Sequence, residues 1–243
     1  MARPLGVLPA FFDDSPRLAA ALRLQSPRAE AITMKIRFWG VRGSIPSPGP
    51  LTAKVGGNTS CVEVSCGSTR LILDAGTGIR GLGESLMGQG SLDLHLFLSH
   101  YHWDHIQGLP FFVPAYCPAN HIQVYGGSNG LMSVEQALRY QMSAPVFPVR
   151  LDELGARVSG KELRPGQLLE VGEASVQVMR LNHPGGSLGY RIEHAGRVMV
   201  YATDCEPYAC VDPSLVRFAK GADVLIYDSQ YTVDEYEGRT GPS

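Results

Sequence analysis

The stretch Leu96-Phe97-Leu98-Ser99-His100-Tyr101-His102-Trp103-Asp104-His105 constrains this 243-residue chain more than any other. An apolar run of strand character leads into three histidines and an aspartate within six positions, and the whole chain holds only seven histidines. Three imidazoles packed together without a cation would oppose donors and acceptors that have no partner. Imidazole nitrogen and carboxylate oxygen are the ligands that suit a borderline divalent cation, and a loop leaving a strand can wrap alternate side chains around one centre. In the H-x-H-x-D-H spacing, His100 and His102 suit one metal ion while Asp104 and His105 face a second. His95, His121 and His194 each stand alone in or beside a strand and read as surface or hydrogen-bonded side chains.

Composition narrows the setting. Hydrophobic residues make up 44% of the chain and the mean hydropathy is -0.03, which is ordinary for a globular protein able to bury a core. The 28 glycines and 17 prolines sit mostly at the edges of apolar runs, without the period of a fibrous chain. Lys and Arg number 21 against 23 Asp and Glu, so the net charge of -2 provides no overall basic field for nucleic acid, although a local patch remains open. No apolar stretch approaches the roughly 18–20 residues that span a bilayer. The early run Leu5 to Phe12 is broken by Pro9 and followed by Asp13 and Asp14, unlike a secretory leader. The five cysteines (Cys61, Cys66, Cys117, Cys205 and Cys210) are odd in number and contain no C-x-x-C, so a disulfide framework is not expected and a reducing cytoplasm is.

Residues 1–33 are Pro-punctuated and Ala-rich and read as a poorly ordered N-terminal extension; Met34 opens the domain that runs over 34–243. Alternating and β-branched runs predict strands over 35–39, 61–65, 70–73, 94–99, 121–125, 175–181, 189–193, 197–202 and 224–227. Helical spacing predicts helices over 79–87, 133–142 and 213–219. Helices inserted between groups of strands point to an α+β architecture of two packed sheets with helices outside, not to a doubly wound sheet.

The H-x-H-x-D-H loop is the hallmark of the metallo-β-lactamase superfamily of metal-dependent hydrolases, which this chain resembles from Met34 to near its C-terminus. Phe38-Trp39-Gly40-Val41-Arg42-Gly43-Ser44, Gly56-Gly57-Asn58-Thr59-Ser60-Cys61 and Leu71-Ile72-Leu73-Asp74-Ala75-Gly76-Thr77-Gly78 are similar to the opening strands of its phosphodiesterase branch, near ribonuclease Z and the phosphoribosyl cyclic phosphodiesterases. The resemblance implies a four-layer αβ/βα sandwich of two mixed sheets. It also implies a further ligand at His183, in Leu181-Asn182-His183-Pro184, and a metal-bridging role for Asp204, in Val200-Tyr201-Ala202-Thr203-Asp204. Asp74 would buttress the histidine loop, and Asp228 would support a downstream histidine near the scissile phosphate. The pattern then breaks: the family's Gly-His-Ser/Thr motif and last histidine ligand have no counterpart, since no histidine follows His194. The expectation is therefore a C-terminally truncated member, lacking the last strand and helix, or else a natural variant with an incomplete second site, with weak or absent turnover and metal held best at the first site.

On this resemblance the chain is a phosphodiesterase using two divalent metal ions, zinc with manganese or iron as alternatives, and a hydroxide bridging them. His100, His102 and His183 would bind the first ion, Asp104 and His105 the second, and Asp204 both; Asp104 and Asp228 would be the catalytic carboxylates. A small phosphodiester is the expected substrate, nucleic acid being less favoured because no long Gly/Lys-rich arm follows His105. A homodimer is the assembly allowed for. Acyl hydrolysis of a lactam, lactone or thioester, and a non-catalytic metal-binding or sensory domain, are the competing readings. The segment 131–149 is either a wall of the substrate cleft or an ordinary amphipathic helix with a Pro-rich exit.

Overall fold

The computed structural model describes residues 34–128, 132–206 and 212–229. The extension expected over 1–33 lies outside them. Along the chain come strands β1 (Met34–Gly40), β2 (Cys61–Cys66) and β3 (Thr69–Leu73), helix α1 (Gly78–Leu86), β4 (Asp93–Phe97) and a single helical turn α2 (Trp103–Ile106). Then follow β5 (His121–Gly127), α3 (Val134–Gln141), β6 (Arg157–Leu163), β7 (Leu168–Val171), β8 (Ala174–Leu181), β9 (Ser187–His194), β10 (Arg197–Ala202), α4 (Pro213–Ala219) and β11 (Val224–Tyr227). Two mixed sheets form, in the orders β1-β2-β3-β4-β5-β6 and β11-β10-β9-β8-β7. The first is antiparallel through β3 and parallel from β3 to β6. The second is antiparallel except where β10 meets β11.

Strand periodicity sorts side chains into three apolar layers. Leu71 and Leu73 of β3 face the second sheet, where they join Val176, Val178, Tyr190 and Ile192, while Ile72 faces the other way among Ile79, Leu82 and Leu86 of α1. On β4, Leu94 and Leu96 point to the helical side and Phe97 to the intersheet side. Phe97 stacks on Tyr125 at 4.3 Å between ring centroids and meets Tyr190 edge-on at 5.3 Å, locking the two sheets together. The third layer, Leu181, Val200 and Ala202 with Leu215 and Phe218, seats α4 on the outside of the second sheet. The result is helix, sheet, sheet, helix, the four-layer α+β sandwich expected.

Every strand and helix anticipated over 35–227 is present, with ends shifted by one or two residues in most. Among the described strands and α-helices, three were not anticipated: β6, β7 and α2. Strands β6 and β7 are the outer edges of their sheets. Only Leu163 of β6 is buried, so Arg157-Val158-Ser159-Gly160-Lys161-Glu162-Leu163 carries almost no apolar alternation. Segment 131–149 forms α3 with a Ser133/Gln136 capping box, and its Val134, Ala137 and Leu138 pack on the first sheet. It is thus an amphipathic core helix, and its described residues do not line the cleft of about 340 Å³ that opens beside His100 and His102. No described helix is long and apolar enough to cross a membrane.

One regularity positions the site. Strands β3, β4, β8, β10 and β11 release the chain at their carboxyl ends into Asp74, His100, His183, Asp204 and Asp228, each within three residues. The open ends of sheet strands are where backbone leaves the ladder and side chains can converge.

Candidate metal centre

Four imidazoles meet at this edge. The His100 ring lies 4.4 Å from those of His102 and His105 and 4.8 Å from that of His183, with His102 and His183 4.9 Å apart. Nitrogen and oxygen atoms of His100, His102 and His183 form one compact donor set, and those of His100, His105 and Asp204 form a second. Ligands held at about 2.0–2.1 Å around a tetrahedral cation stand roughly 3.3 Å from one another. Here His183 Nε2 is 3.0 Å from His102 Nδ1, His100 Nε2 is 3.6 Å from Asp204 Oδ2, and His105 Nε2 is 3.4 Å from Asp104 Oδ2. These spacings fit a cation. The buried His100 Nε2 has no hydrogen-bond partner among the described residues, a costly state unless an ion takes its lone pair.

Asp74 fixes this arrangement from beneath. Its fully buried carboxylate accepts from Ser99 N–H at 2.7 Å, Ser99 Oγ–H at 2.9 Å, Tyr201 O–H at 2.7 Å and His105 Nδ1 at 2.8 Å. A carboxylate only accepts, so His105 must carry its proton on Nδ1 and present Nε2 to the ligand side. Tyr201 comes from the second sheet, and Asp74 thereby binds both sheets to the histidine loop. Asp74 and Asp204 have left-handed backbone, φ 62° and 51°, as does Ser44 at 67°; these sharp bends re-aim side chains just where strands end.

Asp104 is pinned by the loop after β1, whose Ser44 N–H donates to Oδ2 at 2.7 Å. Gly76 makes room for this: a Cβ there would lie 2.4 Å from the Asp104 carbonyl oxygen and 2.7 Å from that of Ser60. The His183 and Asp204 loops are clamped by Glu206 N–H donating to the Asn182 carbonyl at 2.7 Å and Asn182 Nδ2 to the Glu206 carbonyl at 3.1 Å. Asp228 stands at the β11 side and accepts from the Cys205 backbone N–H. The downstream histidine it was expected to support has no counterpart among the described residues, and Asp228 instead holds the loop that carries Asp204.

The protonation balance favours a cation. Burial, with the charge of His105 beside it, pushes the His100 imidazole down to about 3, so it is neutral and free to donate its lone pair. Burial also works against a charged His105, but the Coulombic pull of Asp74 and hydrogen bonds to Asp104, Asp204 and Asp74 override it and hold the ring well above its ordinary range. Its Nε2 lies 2.5 Å from Asp204 Oδ2. Burial opposes an ionised Asp204, yet the hydrogen bond and charge of His105 keep that carboxyl below its usual range. Asp104, under the same opposing burial, is held low by His105 and Ser44. Several carboxylates thus converge on the imidazolium of His105, whose proton a metal can replace.

The structure brings together His100, His102, His183, His105 and Asp204 as donors, with Asp104 against the second set and Asp228 at the rim. The three isolated histidines stay apart: His95 meets Tyr125 O–H at 3.3 Å, His121 pairs with Asp93 at 2.9 Å, and His194 Nδ1 reaches the Glu173 carbonyl at 2.8 Å. Tyr201 and Ser99 were not anticipated as supports. The hydroxyl of Tyr201 inside an otherwise apolar strand was the one signal available.

Comparison with known proteins bears on the fold and the family. The family described as Beta-lactamase superfamily domain matches residues 69–242. Ribonuclease Z of Haloarcula marismortui is 27% identical over 173 residues, which cover 68% of this chain and 49% of that one, so the chain spans about half the length of that relative. Among solved structures, the metallo-β-lactamase fold protein YhfI from Bacillus subtilis superposes with a TM-score of 0.59 at 22% identity, covering 83% of this chain and 73% of that one. A diphosphatase from the PhnP family gives 0.60 at 16% identity, covering 85% and 81%. The fold and the family match agree: this chain belongs to the metallo-β-lactamase superfamily, with ribonuclease Z among its relatives and a PhnP-family diphosphatase sharing its fold.

Proposed function

We propose that this chain is a binuclear metal-dependent phosphodiesterase acting on small phosphodiesters. The observation that carries the reading is the position of Asp204 Oδ2, 3.6 Å from His100 Nε2 and 2.5 Å from His105 Nε2, between the two donor sets. A carboxylate so placed suits two neighbouring cations. His100, His102 and His183 would hold the first, His105 and Asp104 the second, and Asp204 both. The all-nitrogen-and-oxygen donor set suits zinc, and accommodates manganese or iron. Bound ions would supply Lewis acidity, acidifying the attacking water and offsetting the charge that builds on phosphoryl oxygens.

The chain's own groups do the remaining work. Asp74 keeps the His105 proton on Nδ1 and the Nε2 lone pair directed at the second set. Asp104, ionised and fixed by Ser44 N–H, accepts a hydrogen bond from the attacking water and orients it. Asp228, through the Cys205 N–H, keeps Asp204 in register between the sets. The ribonuclease relatives and the PhnP-family diphosphatase support phosphorus over acyl chemistry.

Elemental analysis and parallel assays test this. Two equivalents of metal and hydrolysis of bis(p-nitrophenyl) phosphate, without hydrolysis of a chromogenic lactam, are expected. A single equivalent at saturation, or turnover of the lactam alone, would overturn it.

A further inference from the structure

A second polar pocket, of about 200 Å³, lies on the helical face of β1, β2 and β3, at the end of the first sheet remote from the histidines. The strand register sets its floor. Lys35, Ser65 and Arg70 stand side by side across the three strands, and Arg37 and Glu63 form the next row. Met34 and Ile36 pack between the sheets, so Lys35 and Arg37 point the other way, below the end of α1, where Leu86 and Gln89 close the pocket.

Three cations and a single carboxylate line this space, which leaves two positive charges in excess. The carboxylate is already occupied. Glu63 is only 9% exposed; its Oε2 accepts from Trp39 Nε1–H at 3.0 Å, and its Oε1 pairs with Arg70 Nε at 2.9 Å. Arg37 stands opposite Glu63 in the register, yet its guanidinium lies on the Trp39 ring, 4.0 Å from the centroid. That stack fixes the plane of the guanidinium and leaves its N–H edges open. Neither Lys35 nor Arg37 makes an ion pair or a side-chain hydrogen bond among the described residues, and the Ser65 hydroxyl between Lys35 and Arg70 has no partner among them either.

The helix end above does not compete for these donors. The carbonyls of Leu82, Ser85 and Leu86 accept from Ser85 Oγ–H at 2.7 Å, Gln89 Nε2 at 2.9 Å and Gln89 N–H at 3.3 Å. A guanidinium edge, an ammonium and a hydroxyl facing one small space, with two charges unmatched, suit a phosphate group, which carries close to two negative charges at neutral pH and offers three acceptor oxygens.

We propose that this pocket binds a phosphate dianion, free or as the monoester of a small organic group, gripped by Arg37 and Lys35 over the Ser65 hydroxyl. The site is separate from the metal centre and does not depend on what that centre hydrolyses.

Calorimetric titration at low salt with inorganic phosphate and with glycerol 3-phosphate tests this, on metal-free protein and again on metal-loaded protein. One saturable site is expected in both forms. Arg37→Gln should weaken it about tenfold or more, the range of lost hydrogen bonds to a charged group. Lys35→Gln should weaken it severalfold, and Arg157→Gln, at an exposed arginine of β6, should leave it unchanged. Arg37→Lys keeps the charge but not the paired N–H edge, so an intermediate loss is expected, and circular dichroism checks that each variant folds. Equal affinity for the two ligands would sustain the site with free phosphate in it, and higher affinity for the ester would sustain it with a monoester. Binding seen only in metal-loaded protein would assign the phosphate to the histidine cluster and overturn the proposal. So would the absence of saturation, an equal loss in Arg157→Gln, or a folded Arg37→Gln protein that binds as well as wild type.

Discussion

Replacing Asp74 by asparagine changes almost no volume and isolates the electrostatics beneath the second donor set. One oxygen of Asp74 accepts the Ser99 N–H at 2.7 Å; the other accepts Ser99 Oγ–H, His105 Nδ1–H and Tyr201 O–H at 2.9, 2.8 and 2.7 Å. In the variant the amide oxygen can keep the Ser99 N–H, which leaves the amide NH2 facing three former donors. The Ser99 and Tyr201 hydroxyls can rotate and accept. His105 Nδ1 can accept only if its proton moves to Nε2, the atom that lies 2.5 Å from Asp204 and that a cation requires. With the amide reversed, the buried Ser99 N–H is stranded instead, at about 1–3 kcal/mol.

Either arrangement loses charge-assisted bonds, so a destabilisation of about 2–3 kcal/mol is expected. For a chain of this size that lowers Tm by about 4–12 °C. Metal affinity at the His105 set should fall about 10–100-fold, as for other losses of a carboxylate behind a histidine ligand, while the His102 and His183 set changes little. Titration against a chromogenic zinc chelator reads both affinities, and circular dichroism melts of the metal-free protein read stability. Asp74→Asn protein that binds two equivalents within threefold of wild type, at unchanged Tm, would refute the assignment of Asp74 as the group that sets the His105 tautomer.

Other perturbations separate the parts. His102→Ala removes a donor that belongs to one set only, so elemental analysis should find about one equivalent of metal where wild type holds about two. Gly76→Ala puts a methyl 2.4 Å from the Asp104 carbonyl oxygen, and should lower both Tm and metal content at the second set; unchanged values would show that the loop gives way freely. His100 is neutral when folded, with its pKa pushed down by burial to about 3, against roughly 6.5 when unfolded. The unfolded chain therefore binds the extra proton, and stability of the metal-free protein is lost as pH falls from about 6.5 towards 3. His100→Asn should flatten that acid limb in urea-unfolding midpoints, and an unchanged limb would contradict it. Burial, with Glu173 nearby, raises the Cys66 thiol to about 11, and burial holds Cys61 well above its ordinary value. Both should resist Ellman's reagent at pH 8 until urea exposes them, whereas rapid labelling of the native protein would place them outside the core.

What could be read from the sequence divides by range. His100, His102, Asp104 and His105 were legible because a short loop concentrates them, and β2, β3, β4 and β8 because apolar and β-branched residues recur through them, as in Val62-Glu63-Val64 and Val176-Gln177-Val178. Edge strand β6 was not, since only Leu163 of it is buried, and β7 was not because four residues after the Pro165-Gly166 turn make too short a run. The supports of the site are long-range: the Tyr201 hydroxyl reaches Asp74 across 127 positions, and Ser44 reaches Asp104 across 60. No local pattern encodes such pairs. The cleft is illegible for the same reason, assembled from β4, the β6–β7 connection and the β8–β9 turn. Yet it follows from what was legible: once His183 ends β8 and the chain must return as β9, the turn at Gly185-Gly186 stands beside the histidines by construction. Strand pairing, with Arg180 opposite Leu188 and Leu181 opposite Ser187, fixes where that turn returns. The same hairpin thus carries one donor, His183, and the turn beside it, so that turn cannot be changed without reaching the first donor set.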